Sequence, residues 1–238
     1  MAKLSDLVLR SSEVTGVSIA AVREISRRLR EAGLISTGKG GRYGGADMAP
    51  MDAASLLTAL LIVRASSVSL NDIAPLTKAH LRDFRSYSPR SDHLLLGCWD
   101  RRLALPQLCR LKRGHTFGES LSALIGSISN GDLERAIADW AARRPRGVAP
   151  FFRLNVNISS PEPHPEAWIE FDTASFGQLR LIYLRPRDAK GIIVPDAPRK
   201  WRDLSEDPGF DLRVTATVTE ETLTSIGLLL RNSGTEHG

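Results

Sequence analysis

Residues 4–36 read LSDLVLRSSEVTGVSIAAVREISRRLREAGLIS, and this stretch decides how the start of the chain folds. Its apolar residues recur at the helical interval, which predicts a helix over 18–31 with one face on a core. A shorter helix precedes it, and Thr15-Gly16 form the turn between the two. The stretch therefore predicts a helix-turn-helix that runs into a short strand at 34–36. The apolar residues behind this prediction are Leu4, Leu7, Val8, Val17, Val22, Ile25, Leu29, Leu34 and Ile35.

The second helix carries signals at both ends and a basic outer face. Ser18 is a favourable N-cap, because its hydroxyl can accept from a backbone N–H of the first turn. Gly33 lies where a helix often ends in a left-handed residue. Small residues at the start of a helix let it enter the major groove, and arginines there reach phosphates or guanine edges. The face opposite the core carries Ala20, Ala21, Arg23, Arg27, Arg28 and Arg30.

The next segment, TGKGGRYGGADM at 37–48, is glycine-rich and basic, as the wing of a winged helix would be. Glycine lets the backbone approach a phosphate closely, and Lys39 and Arg42 beside Tyr43 suit a groove edge. Residues 1–48 carry eight Lys and Arg against five Asp and Glu, a net charge of +3. We therefore expect a winged helix-turn-helix that contacts double-stranded DNA.

Residues 15–35 resemble the DNA-binding end of winged helix-turn-helix transcription factors of the IclR and GntR groups. The resemblance rests on Thr15, Gly16, Val17, Ser18, Ala21, Val22 and the run 29–35. It ends at the wing, because the later strand region shows no effector-domain signature of those groups. The alternatives are that the arginines form a solvated face or that the two helices make protein contacts. The residues expected to contact DNA are Ser18, Ala20, Ala21, Arg23, Arg27, Arg28, Lys39, Arg42 and Tyr43.

Residues 49–146 are predicted to form a helical middle region. The run 50–63, PMDAASLLTALLIV, is apolar nearly all round, so a helix there must be covered by something. A neighbouring subunit or a second helix over 69–84 is the natural candidate. We expect the chain to form a homo-oligomer through this helix, with Leu57 and Leu61 at the interface.

From residue 147 the pattern changes to alternating apolar and polar residues, which is typical of half-buried antiparallel strands. Residues 147–238 are therefore predicted to form a C-terminal α+β domain, and the whole chain an α+β fold of three segments. A final helix is expected from Thr219 to Leu230. The predicted strands are FRLNVNIS (152–159), AWIEFDT (167–173), QLRLIYLR (178–185), GIIVP (191–195) and LRVTATVT (212–219).

A second resemblance concerns the layout of the first 61 residues. REAGLISTGKGGRYGGADM (30–48) followed by DAASLLTALL (52–61) is similar to proteins of alphaproteobacterial phages and gene transfer agents. This resemblance implies a recognition subunit for DNA packaging, similar to a small terminase, as the alternative to a regulator.

Few residues point to chemistry. Lys39 is followed by two glycines, whereas a phosphate-binding loop requires Ser or Thr after its lysine. No nucleophile elbow or metalloprotease helix is present, so we expect no enzymatic activity and no cofactor. His93, Cys98, Cys109 and His115 are a possible zinc set, but the cysteines lack the close pairing of zinc fingers and lie among apolar residues. Buried free thiols are the favoured interpretation.

Composition limits the class of protein. The net charge of +5 favours an anionic partner, and two cysteines fit a reducing compartment. No signal peptide precedes the first helix, and the longest apolar run is too short to span a bilayer, so no membrane association is expected. The sequence thus predicts a cytoplasmic bacterial or prophage DNA-binding protein, most simply a transcriptional regulator.

Overall fold

A computed structural model describes residues 2–37, 46–65, 68–87, 99–159, 166–184 and 215–232. The fold is α+β, as the sequence predicts, with helices packed against an antiparallel sheet. None of the described helices has the length and apolar content that crossing a membrane requires. Among these residues the helices are α1 (Leu4–Thr15), α2 (Ile19–Glu31), α3 (Pro50–Ala65), α4 (Ile73–Asp83), α5 (Pro106–Cys109), α6 (Phe117–Ser129), α7 (Asp132–Ala142) and α8 (Glu220–Asn232), with a 3-10 turn at Arg101–Leu103.

Five strands form one sheet in the order β1-β4-β3-β2-β5, and all neighbouring strands are antiparallel. The alternating pattern predicted β2, β3 and β4 to within a residue, and it predicted the end of β5. The predicted strand GIIVP lies outside the described residues. β1 was not predicted, because three residues are too few to show an alternation. The strands are β1 (Arg85–Tyr87), β2 (Phe152–Ser159), β3 (Glu166–Thr173), β4 (Gly177–Leu184) and β5 (Thr215–Thr219).

α3 is the central helix, and it is buried by the chain's own elements. It packs against α2, α4 and α6 and against strands β2 and β5. Leu57 and Leu61 are both 0% exposed in the single chain. The expectation that these two leucines form an interface between subunits is therefore wrong. The apolar character of α3 reflects a core position within the chain, where neighbours surround the helix.

One face of the sheet is covered by α3, α8 and a group of aromatic side chains. Phe171 and Tyr183 lie on this face, and both are fully buried. The ring of Trp99 meets Phe171 edge-on at 5.5 Å, and Phe117 meets Tyr183 in the same way at 5.4 Å. Such edge-to-face pairs add to the stability that burial alone provides. Residues of all three predicted segments share a single hydrophobic core.

α6 approaches its neighbouring helices closely, because glycine stands at two crossing points. A Cβ on Gly118 would lie 2.7 Å from the carbonyl oxygen of Leu81 in α4. A Cβ on Gly227 of α8 would lie 2.4 Å from Cγ2 of Ile128 in α6. α8 also contacts α1, so the last described helix packs on the first.

Candidate nucleic-acid interface

The turn between α1 and α2 has the local geometry that the sequence predicts. Gly16 ends α1 with a φ of 69°, a conformation that glycine adopts without strain. Ser18 is the N-cap of α2, and its hydroxyl accepts a hydrogen bond from the backbone N–H of Ala21 at 3.3 Å. The short turn therefore presents the first turn of α2 at the surface, where Ala20 is exposed and Ala21 is half-buried.

The end of α2 is also as predicted, but the segment that follows is not a strand. Gly33 has a φ of 68°, and the backbone N–H of Leu34 donates to the carbonyl of Leu29 at 2.8 Å. These features are those of a Schellman C-cap. Ile35 is buried without forming a strand pair, so the predicted strand at 34–36 is corrected to an irregular segment.

α2 divides cleanly into a buried face and an exposed one. Val22, Ile25 and Leu29 are 0% exposed and pack in the core. Ala20 and three of the four arginines, Arg23, Arg27 and Arg30, are exposed, while Arg28 is half-buried. The division is the amphipathic pattern that the sequence predicts.

Two of the four arginines are neutralised by carboxylates on the same helix. Arg27 pairs with Glu24 at 2.7 Å and with Glu31, and Arg28 pairs with Glu24 at 2.8 Å. Arg28 also donates to the side-chain oxygen of Asn71 at 2.7 Å. Hydrogen bonds from Arg27 and then Arg28 lower the pKa of Glu24 to about 2, so this carboxylate is ionised across the physiological range. The two arginines and the two glutamates together carry no net charge.

Arg23 and Arg30 are different, because neither side chain has a hydrogen bond or ion pair with a described residue. They lie seven residues apart, which is two helical turns, on the edge of α2 that faces α1. Both line a groove of about 480 Å³ between the helices. Asp6 also lines this groove, and its carboxylate accepts from the backbone N–H of Lys3 at 2.9 Å. The free positive charge of α2 is therefore concentrated at Arg23 and Arg30.

Arg64 adds a cation that sequence analysis did not include. It stands in the last turn of α3, and its guanidinium lies 3.5 Å from the carbonyl oxygen of Thr15, in the α1–α2 turn. Arg64 is exposed, so its charge is open to solvent beside the start of α2. Only the packing of α3 against the first two helices brings it there, and no local sequence signal indicates it.

The two ends of the glycine-rich segment are held by one buried carboxylate. Asp52 is 3% exposed, and it accepts from the backbone N–H of Ser36 at 2.7 Å and from that of Ala49 at 2.8 Å. Because Asp52 is the third residue of α3, its bond to Ala49 is half of a capping box. The carboxylate of Asp52 therefore stabilises the start of α3 and also holds the backbone of residue 36 close to that of residue 49.

The second end of this segment is also tied to the N-terminus. Met48 donates its backbone N–H to the carbonyl of Ala2 at 2.9 Å, and Lys3 pairs with Asp47 at 2.7 Å. Lys39, Arg42 and Tyr43, which the sequence predicts as DNA contacts, lie outside the described residues. Their contact with DNA stays a prediction.

The possible zinc ligands fall into two groups. His93 and Cys98 lie outside the described residues. Cys109 is half-buried, and burial raises the pKa of its thiol. His115 uses both ring nitrogens in hydrogen bonds, with Nδ1 2.9 Å from the carbonyl of Lys112 and Nε2 3.0 Å from the hydroxyl of Tyr183. The described part of the chain contains no cluster of three or more His, Cys, Asp or Glu that fits a metal ion.

The hydrogen bonds of His115 can all be formed by a neutral ring. The Lys112 carbonyl can only accept, so Nδ1 carries a proton, and in the neutral ring Nε2 accepts from the hydroxyl of Tyr183. Burial lowers the pKa of His115 below its usual value of 6.5, against smaller opposing effects of the Lys112 hydrogen bond and of Glu119. Since protonation then favours the unfolded chain, stability is retained above about pH 6.5 and is lost as the pH falls through the folded-state pKa.

We therefore expect the free energy of unfolding to fall on acidification from about pH 7 to about pH 5. A His115→Gln variant keeps an acceptor and a donor but does not titrate, so its stability should fall less over the same range. Urea denaturation of both proteins at the two pH values measures the difference. Equal losses in the two proteins would show that His115 does not cause the pH dependence.

Comparison with known protein families, curated proteins and solved structures gives no match to this chain.

Proposed function

We propose that the chain binds double-stranded DNA through the exposed face of α2 and acts as a transcriptional regulator. The observation that carries the proposal is the pair Arg23 and Arg30, whose guanidinium groups are exposed and have no carboxylate partner among the described residues. An exposed arginine without an internal partner can bind a phosphate without first breaking an ion pair.

The shape of the α1–α2 unit supports the same proposal. Ser18 is the N-cap of α2, and the small side chain of Ala20 keeps the first turn of the helix narrow. Backbone N–H groups at a helix start attract phosphate, and a narrow helix end enters the major groove. Arg64 adds an exposed positive charge beside Thr15, three residues before the N-cap of α2. The proposed contact surface is therefore α2 with Arg64 at its start.

We also propose that the start of the chain is a winged helix of the kind found in regulators. It is supported by the resemblance of residues 15–35 to such regulators and by the fixed ends of the segment around Lys39 and Arg42. The carboxylate of Asp52 holds residues 36 and 49, which flank the glycine-rich segment in the sequence. We propose that the segment between these two residues is the wing.

Binding of a labelled DNA duplex, followed by fluorescence anisotropy over a range of salt concentrations, tests the proposal. Arg23→Ala with Arg30→Ala should weaken binding and flatten the log–log salt slope by about 1.8, since each phosphate contact contributes about 0.9. The matched control is Arg146→Ala with Arg153→Ala, which removes the same charge from two exposed positions elsewhere. If the variant with Arg23→Ala and Arg30→Ala keeps the salt slope of the parent protein, the proposed contact surface is contradicted.

The same binding experiment can also test a variant in which α2 loses negative charge. Glu24→Gln with Glu31→Gln removes the carboxylates that neutralise Arg27 and Arg28. Binding should become tighter, and the salt slope should steepen by about 0.9 for each arginine that gains a phosphate. Stability should change little, because exposed ion pairs are screened by water and contribute little to the free energy of unfolding. Unchanged binding would mean that this face of α2 does not meet the duplex.

A further inference from the structure

A short turn between α5 and α6 carries a group of cations that is separate from those of α2. The turn, here called the basic turn, comprises residues 110–114 and reads RLKRG. Arg110, Lys112 and Arg113 are all exposed. None of these three side chains has a hydrogen bond or ion pair with a described residue. The basic turn therefore presents three positive charges that no described carboxylate pairs with.

The backbone of the basic turn is held in place by β1 and by a buried histidine. Arg85 donates from its guanidinium to the carbonyl of Gly114 at 3.0 Å, and the hydroxyl of Ser86 accepts from the backbone N–H of Gly114 at 3.1 Å. His115 bonds to the carbonyl of Lys112 through both its backbone N–H, at 3.1 Å, and its Nδ1, at 2.9 Å. The cations of the turn are therefore attached to a fixed backbone, which reduces the entropy lost when they bind.

Nearby acidic residues do not cancel this charge. The segments that meet at the turn, 82–87 and 110–119, contain five cations and two carboxylates, which gives a net charge of +3. One of these carboxylates, that of Glu119, accepts from the backbone N–H of Thr116 at 2.6 Å, as half of a capping box. A local excess of positive charge favours a polyanion as the partner. The cations are Arg82, Arg85, Arg110, Lys112 and Arg113, and the other carboxylate is that of Asp83.

The basic turn also has backbone donors of the kind that a phosphate accepts. The backbone N–H groups of Lys112 and Arg113 have no hydrogen-bond acceptor among the described residues. In complexes with DNA, phosphate oxygens accept from backbone N–H groups as well as from lysine and arginine side chains. Two consecutive residues of the turn therefore combine both kinds of phosphate donor.

We propose that the basic turn makes a second set of contacts with the phosphates of the duplex that α2 binds, an inference that rests on the DNA binding proposed above. α4 separates the two surfaces. Asn71, just before its start, accepts from Arg28 of α2 at 2.7 Å, and Arg85 follows its end. A helix of 11 residues is about 16 Å long, whereas one turn of duplex DNA is about 34 Å long. The spacing of the two surfaces along α4 is therefore shorter than one turn of a duplex.

Binding of a labelled duplex of about two helical turns, measured over a range of salt concentrations, tests the inference. The turn variant, with Lys112→Ala and Arg113→Ala, should have a log–log salt slope that is flatter by about 1.8, since each phosphate contact contributes about 0.9. The α2 variant, with Arg23→Ala and Arg30→Ala, should show a loss of the same size. A protein with all four substitutions should lose about 3.6, because separate contacts add. Circular dichroism checks that each variant is folded, as substitutions of exposed side chains without partners should leave it.

The control with Arg146→Ala and Arg153→Ala removes the same charge from exposed positions elsewhere and should keep a slope close to that of the parent protein. A parental slope for the turn variant, together with a flatter slope for the α2 variant, would overturn this inference and leave the proposed α2 surface in place. The reverse result would contradict the α2 surface and leave the basic turn as a DNA contact. An equal loss in the control would show that overall charge determines binding, and it would also overturn the inference.

Discussion

A variant with Leu57→Asp and Leu61→Asp is expected to be unfolded at 25 °C. Both leucines are 0% exposed in α3, between the helices and the sheet. Each loses about 1.5–3 kcal/mol of apolar burial, and each new carboxylate loses several kcal/mol more of hydration without a partner. A domain is stable by only about 5–15 kcal/mol, so the double substitution exceeds what the fold provides.

Circular dichroism and urea denaturation measure this result. The matched control replaces two exposed leucines, Leu9 and Leu70, with aspartate, and this variant should stay folded. Leu57→Ala supplies a milder measurement, with a loss of about 2–5 kcal/mol in the free energy of unfolding. A folded Leu57/Leu61 variant that has only lost its oligomeric state would restore α3 as an interface between subunits.

The second large effect is expected at Asp52. Its carboxylate accepts from the backbone N–H groups of Ser36 and Ala49 at 2.7 and 2.8 Å. Asp52→Ala leaves both donors without this partner and removes a negative charge from the first turn of α3, where the helix dipole favours it. Hydrogen bonds to a charged group contribute about 1.5–3 kcal/mol each. Ser36 and Ala49 are exposed, so water can replace part of each bond, and we expect a loss of about 2–4 kcal/mol in the free energy of unfolding.

Two further measurements isolate the cause of this loss. Asp52→Asn keeps one acceptor oxygen and should lose about half as much of the free energy of unfolding. Hydrogen exchange should become faster at the amides of Ser36 and Ala49 before it does so elsewhere, because the local clamp opens first. An Asp52→Ala protein with parental stability and parental exchange at both amides would show that the clamp contributes nothing.

Local signals account for the parts of the fold that the sequence predicted well. Ser18 and Gly33 set the two ends of α2 through their own backbone and side-chain preferences. The alternation in residues 152–184 located β2, β3 and β4 because each strand is half-buried, so its two faces differ in polarity. In both cases the residues that determine an element lie within that element or next to it in the sequence.

Features that depend on distant parts of the chain were not predictable in this way. α3 is apolar nearly all round, and its sequence would be the same whether a second subunit or the same chain covered it. The contacts of α3 with α4, α6 and the sheet show that the same chain covers it. The place of Arg64 beside Thr15 follows from the same packing. β1 joins the sheet through pairing with β4, about a hundred residues later in the chain.

The ion pairs of α2, in contrast, could have been predicted from the sequence. Glu24 and Glu31 stand three and four residues from Arg27, and helix geometry brings such residues together. A count of arginines alone therefore overstated the positive charge of the exposed face. The spacing indicates Arg23 and Arg30 as the free cations, and the structure bears this out for the described residues.

The contact between α1 and α8 sets the order in which the protein can be completed during synthesis. α1 leaves the ribosome more than 200 residues before α8, yet the two helices pack together in the finished fold. At about 5–20 residues per second, the face of α1 that α8 covers waits roughly 10–40 s for its neighbour. A chain whose translation stops before α8 therefore has an incomplete α1–α2 unit. An unfinished chain with an exposed α1 is therefore open to chaperones and proteases.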